Sequence, residues 1–243
     1  MAARFYVREG LARAMIGSTI ELPPAVTHHA TRVVRMGVGD AITLFDGTGG
    51  EYEAQLVGVD RRGAHARIDR FSPVERESSL SVTLVLAIVS SDAMDYAVRK
   101  AVELGVHAII PVVTSRSAPM PPGPRADKRV AHWNEIAIAA CEQCGRNRVP
   151  EVSAPINLGD YAPADDEKLF VCAPEDAAAI GSASAERSCA VAIGPEGGFT
   201  RVETEALDRR GATRVSLGPR ILRTETAVCA ALAVLQARSG DLR

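Results

Sequence analysis

Two short loops in the last fifty residues constrain this chain more than any other feature. Ile193-Gly194-Pro195-Glu196-Gly197-Gly198-Phe199-Thr200 follows directly on the apolar run Cys189 to Ile193. Leu217-Gly218-Pro219-Arg220-Ile221-Leu222-Arg223-Thr224-Glu225-Thr226 runs into an Ala-rich stretch that ends near Gln236. Each reads as a strand, a Gly-Pro turn and a helix start, a geometry in which backbone N–H groups face a ligand with no side chain between. Two such loops close in sequence predict one small-molecule pocket lined mostly by main chain. Neither loop is a nucleotide fingerprint, because G-x-G-x-x-G spacing and Gly-Lys-Ser/Thr are both missing. Kinase, ATPase and dehydrogenase readings lose ground accordingly.

The rest of the chain divides near residue 72. Before it lie short strand candidates at Arg4–Val7, Thr19–Leu22, Ala41–Asp46, Glu51–Val59 and Ala64–Phe71. A helical piece from about His28 to Met36 interrupts them, and Asp46-Gly47-Thr48-Gly49-Gly50 reads as a hairpin connection. Several short strands with Gly turns predict a small β-barrel over 1–72. From 73 to 243 strands and helices alternate: strands at Leu80–Val89, Val106–Val113, Lys168–Ala173, Cys189–Ile193 and Arg214–Leu217, helices at Asp92–Leu104 and Ala126–Cys144. Thr200 opens another helix with Glu203 in the capping-box position. Such alternation predicts a parallel sheet covered by helices on both faces. Ligands in these sheets sit beyond the carboxyl ends of the strands, where both Gly-Pro loops fall.

Composition narrows the partners only a little. The chain has 243 residues and a formal net charge of −2, so no global basic field announces nucleic acid. Of its 28 basic residues all but Lys100, Lys128 and Lys168 are Arg, a bias that suits phosphate contact but that a G- and C-rich genome also produces. No apolar run is long enough to span a bilayer and residues 1–22 hold no signal-type apolar core, so a cytoplasmic protein with no membrane association is expected. The five cysteines are scattered, and Cys141 and Cys144 lie in a helical stretch with no second ligand pair nearby. They read as small packing residues, and no metal is expected. Pattern physics alone stops at a two-domain protein that binds an uncharged-to-cationic small ligand through its backbone.

The two loops, taken with Lys100-Ala101-Val102-Glu103-Leu104-Gly105 and Ala140-Cys141-Glu142-Gln143-Cys144-Gly145-Arg146, closely resemble the bacterial 16S ribosomal RNA uridine-N3 methyltransferases of the SPOUT superfamily. Arg32-Val33-Val34-Arg35-Met36 and Leu44-Phe45-Asp46-Gly47 resemble that family's PUA-like RNA-binding barrel, and the similarity runs from Arg4 to Leu242. The resemblance implies an α/β trefoil-knot domain with a parallel sheet, preceded by a PUA-like β-barrel. It further implies S-adenosylmethionine as cofactor, 16S rRNA of the small ribosomal subunit as substrate, and a homodimer. The chain departs from the family at Ser90, Ser91, Asp92 and Ala93, where basic residues are common, and at Ser115, where Glu is common.

Residue roles follow from the same resemblance. Ile193, Gly194, Glu196, Gly197, Leu217, Gly218, Ile221, Leu222 and Thr226 are the expected cofactor contacts. Glu196 reads either as a ribose ligand or as a cap for the next helix, and Thr224 as an N-cap. Arg223 is the expected contact to uracil or phosphate, against the alternative of a solvated Arg at a helix start. Glu225 reads as a general base or as an ordinary first-turn acid. Arg4, Arg8, Arg32, Arg35, Arg116, Arg146 and Arg148 are the expected RNA contacts. A non-catalytic ribosome-assembly factor of the same fold is the rival reading, and intact Gly-Pro loops weigh against it.

Overall fold

The computed structural model describes residues 2–8, 11–61, 63–173 and 177–242. They form two compact units that follow no single cut in the chain. The first is Met1–Glu77 together with Cys141–Val149, and the second is Ser78–Ala140 with Pro150–Arg243.

In the first unit, β1 (Ala3–Tyr6), β2 (Thr19–Glu21), β3 (Ala41–Phe45), β4 (Glu51–Val59) and β5 (Ala64–Ser72) form a mixed sheet in the order β1-β3-β4-β5-β2. Only β1 and β3 run parallel. Alternation along β4 sends Tyr52, Ala54 and Leu56 inward, and Ala64, Ala66 and Ile68 of β5 join them in the core. The β4–β5 ladder shifts register twice, and such bulges sharpen the local twist. The helical piece begins earlier than the sequence predicts. Pro24 supplies the fixed φ favoured at a helix start, α1 runs Pro24–His28, and one π-helical turn continues to Val33.

Cys141–Val149 joins this unit through side chains far away in sequence. Arg4 donates to Asn147 Oδ1 at 2.6 Å, to the Arg146 carbonyl at 3.3 Å and to Glu51 Oε2 at 2.5 Å. Arg146 pairs with Glu77 and is 4 % exposed. Asn147 donates to the Val74 carbonyl at 2.7 Å, and Glu142 accepts from the Tyr6 N–H at 2.9 Å. Burial pushes the Glu51 carboxyl up, but hydrogen bonds from Arg76 and Arg4 outweigh it and hold the group below the usual carboxylate range. Arg4 and Arg146, both expected to touch RNA, therefore spend their charge on the internal carboxylates Glu51 and Glu77. Within the same segment the Cys141 thiol is buried, faces the Arg148 carbonyl and is pushed up to about 12 by desolvation.

The second unit holds β6 (Ser81–Ala87), β7 (Ala108–Val113), β8 (Glu151–Val152), β9 (Ile156–Asn157), β10 (Lys168–Cys172), β11 (Ala178–Ala179), β12 (Ser188–Ile193) and β13 (Thr213–Ser216). Seven of these form the order β11-β13-β10-β12-β6-β7-β8, with β9 also on β7, and every pairing is parallel. Continuous apolar runs in β6 and β12 follow from burial on both faces. The helices are α2 (Ser91–Glu103), α3 (Pro124–Cys144), α4 (Arg201–Asp208) and α5 (Thr224–Ser239). Val228, Ala231, Leu232 and Leu235 of α5 are buried within the chain, so that apolar face is core. Gln236, fully buried, closes its far end by accepting from Ser78 Oγ at 2.5 Å and donating to the Gly105 carbonyl at 3.2 Å. Among the described residues no helix is long and apolar enough to cross a membrane.

Candidate active site

The parallel register brings the carboxyl ends of β10, β12 and β13 side by side, and a cleft of about 240 Å³ opens beyond them. The first Gly-Pro loop forms one wall. Gly198, at φ +68°, donates its N–H to the Pro195 carbonyl at 2.8 Å and so closes the turn. Gly194 is there for close approach: a Cβ at this position would lie 3.0 Å from the Phe199 nitrogen and 3.2 Å from the Gly198 carbonyl carbon.

The loop ends in a capping box. The Glu203 N–H donates to Thr200 Oγ1 at 3.3 Å, and the Thr200 N–H donates back to Glu203 Oε2 at 2.7 Å. Glu203 Oε1 also accepts from the Ser115 N–H at 2.8 Å, and Arg116 donates to the Gly197 carbonyl at 2.6 Å. Segment 115–116 thus grips the loop from outside, and Arg116, expected to touch RNA, is a clamp on the cleft wall.

The second loop forms the facing wall. Gly218 adopts φ +100° and donates to Ser216 Oγ at 3.2 Å. Thr224 is the first helical residue of α5 and Arg223 its N-cap, which corrects the expected cap by one position. The Thr224 side chain, 2 % exposed, is recruited instead to donate to the Gly194 carbonyl at 3.0 Å. This bond latches the two loops together.

Ile193, Gly194, Glu196, Gly197, Leu217, Gly218, Ile221 and Leu222 all line the cleft. Thr226 does not; it is exposed on α5, while Thr224 and Ala227 face inward. Arg223 is exposed between the two lining residues Leu222 and Thr224, and Glu225 is half-buried away from the lining. Sequence reasoning missed Cys172 and Ala173 at the end of β10 and Val215 and Ser216 of β13. Their signal was the strand ends themselves, once the sheet order is known. Burial pushes the Cys172 thiol up to about 12, so it lines the wall as an apolar group. Of the remaining arginines, Arg8, Arg32 and Arg35 are exposed on the first unit, and Arg148 lies 3.6 Å from Glu75.

Glu203 gives this region a pH dependence. Burial raises its carboxyl, but bonds from the Ser115 and Thr200 backbones and the Thr200 hydroxyl bring it below its ordinary 4.5. Its stabilisation is then fully present above 4.5 and is lost as pH falls through the lower folded value. Glu203→Gln should lower the melting temperature at about pH 7, with the gap to the native protein closing below about pH 4. A gap that stays constant across that range in thermal melts would mean that ionisation of Glu203 contributes nothing.

Comparison with known proteins agrees over nearly the whole chain. The RNA methyltransferase domain family matches residues 76–236, and the RNA methyltransferase PUA domain family matches 22–69. Ribosomal RNA small subunit methyltransferase E of Buchnera aphidicola (subsp. Schizaphis graminum) is 31 % identical over 98 % of this chain and 97 % of its own. The Bacillus subtilis protein of the same name is 30 % identical over 93 % and 92 %. The crystal structure of the Neisseria gonorrhoeae protein of that name, bound to S-adenosyl methionine, is 39 % identical, covers both chains fully and superposes with a TM-score of 0.91.

Proposed function

Because the chain belongs to the ribosomal RNA small subunit methyltransferase E family, we propose that it transfers a methyl group from S-adenosylmethionine to N3 of a uridine in 16S rRNA. The observation that carries this reading is the single cleft lined by both Gly-Pro loops at the carboxyl ends of parallel strands. S-adenosylmethionine supplies an electrophilic methyl on a cationic sulfonium. The cleft suits such a ligand: backbone at Gly194, Gly197 and Gly218 offers close polar contacts, and Ile193, Val215, Leu217 and Leu222 offer apolar surface for an adenine. Glu196 is free to accept from ribose hydroxyls, since capping of α4 falls to Thr200 and Glu203.

The chain's own residues align and exclude. The latched loops hold the reacting carbon in line with the incoming nitrogen and away from bulk water. Uracil N3 is nucleophilic only after losing its proton, and Arg223 facing O2 or O4 stabilises the anion's delocalised charge. Glu225, outside the lining, acts as a first-turn acid, and the N3 proton leaves to solvent. N3 lies on the Watson–Crick edge, so the base reacts unpaired or flipped. Arg8, Arg32, Arg35 and Arg148 position the RNA backbone from the PUA-like unit. The reading includes a knotted C-terminal segment, work in the cytoplasm, and a homodimer supported by exposed Ile221 and Val202.

The test is calorimetric titration with S-adenosylmethionine, with NADH and ATP as controls, followed by labelled methyl transfer to small ribosomal subunits and nucleoside analysis. Selective binding and a 3-methyluridine product are expected. Binding without transfer favours the assembly-factor reading, and no binding by folded protein removes the cofactor assignment.

A further inference from the structure

A second concavity of the α/β unit lies outside the cleft. Its floor is Pro119, Met120, Pro121 and Pro122, and its rim is Arg125, Lys128, Arg129 and His132 of α3. Those four occupy positions i, i+3, i+4 and i+7, so they stand on one helical face. Arg129 ties rim to floor: it donates to the Pro119 carbonyl and to Ser91 Oγ, both at 3.1 Å, and both partners are uncharged. His132 Nε2 lies 2.9 Å from Asp95 Oδ2. Among the described residues no ion pair joins Arg125, Lys128 or Arg129 to a carboxylate; Asp127 lies around the helix from their face, and Glu135 further along α3 has an interaction of its own. Three uncompensated cations thus gather over a stiff apolar floor, in a chain whose net charge is −2.

We propose that this groove takes the phosphodiester backbone of single-stranded RNA flanking the target nucleotide, with a ribose or base packed on the Pro–Met floor. The inference rests on the methyltransferase reading and extends it to substrate positioning. Three cations spaced along a helix face suit successive phosphates, and the fixed φ of each proline in the floor reduces the backbone freedom lost on contact. Continuity with the cleft is direct along the chain. Arg116, which clamps Gly197 in the cleft wall, precedes the floor by three residues. RNA laid in the groove is therefore guided along segment 116–122 toward the methyl-transfer site.

The experiment uses the full-length double variant Arg125→Gln/Lys128→Gln, since neither side chain supports the fold through a hydrogen bond or ion pair among the described residues. Binding of a single-stranded RNA fragment spanning the modified uridine is measured against salt, beside S-adenosylmethionine affinity. Loss of two phosphate contacts should weaken RNA binding on the order of tenfold and reduce the slope of log K against log salt by about 1.5. Cofactor affinity should not change. An unaltered RNA affinity and slope overturn the groove assignment. So does normal RNA binding with weakened binding to assembled subunits, which would identify an acidic protein as the occupant. Failure of the native protein to bind S-adenosylmethionine or transfer methyl would instead strike the underlying function.

Discussion

Replacing Arg223 with alanine should lower the rate of methyl transfer by roughly a hundredfold or more while leaving S-adenosylmethionine affinity within about twofold. The asymmetry follows from position. Arg223 is exposed and caps α5 through its backbone, accepting from the Ala227 N–H at 2.8 Å, so alanine keeps the helix start intact. Its side chain is absent from the cleft lining, whereas its neighbours Leu222 and Thr224 belong to it. In the proposed reaction a guanidinium at the lip meets the incoming base and not the cofactor. Stabilising charge that develops only as N3 is deprotonated acts on the rate and not on ground-state binding. Single-turnover transfer and calorimetry on the same preparation separate the two. A variant that transfers normally would return Arg223 to the status of a solvated helix-start residue.

Gly194→Ala should reduce cofactor affinity on the order of a hundredfold, whereas Gly197→Ala should cost only a few-fold, about fivefold. A methyl on Gly194 meets backbone alone, with the Phe199 nitrogen 3.0 Å and Gly198 Cα 3.4 Å away, so the turn itself must move. The same carbonyl region anchors Thr224, and a shift would unlatch the second loop as well. A methyl on Gly197 meets chiefly the Arg116 side chain, 3.1 Å away at Cδ, which is able to swing aside. Equal loss at both positions in calorimetry would show that loop conformation, and not close approach at Gly194, governs the pocket.

The loops were legible because Gly and Pro punctuate the chain wherever side chains would obstruct, and the core strands because burial on both faces demands unbroken apolar runs. The two-residue strands β8, β9 and β11 carry no period and could not be read. Arg4 and Arg146 look like any surface arginine in sequence; only a fold that brings residues 47 and 69 apart into contact reveals their ion pairs. Thr224 and Thr226 stand two residues apart on α5, and the bond to the Gly194 carbonyl turns Thr224 inward while Thr226 is exposed. The Ala-rich α5 left core and subunit interface equally open until burial of Val228, Leu232 and Leu235 assigned that face to the core.

The nine-residue segment Cys141–Val149 has a bearing on how such a protein changes over evolutionary time. The β-rich unit takes its Arg4 and Glu77 partners from a stretch encoded in the middle of the gene. A recombination event that exchanged only the first 77 codons would deliver an Arg4 without Asn147 and a Glu77 without Arg146. Arg4 would keep Glu51, but Arg146, 4 % exposed, would be left as a buried charge without its native carboxylate, which is strongly destabilising. Exchange of the first 77 codons alone is therefore costly, and point substitution on exposed faces is the less costly route to altered recognition on this scaffold.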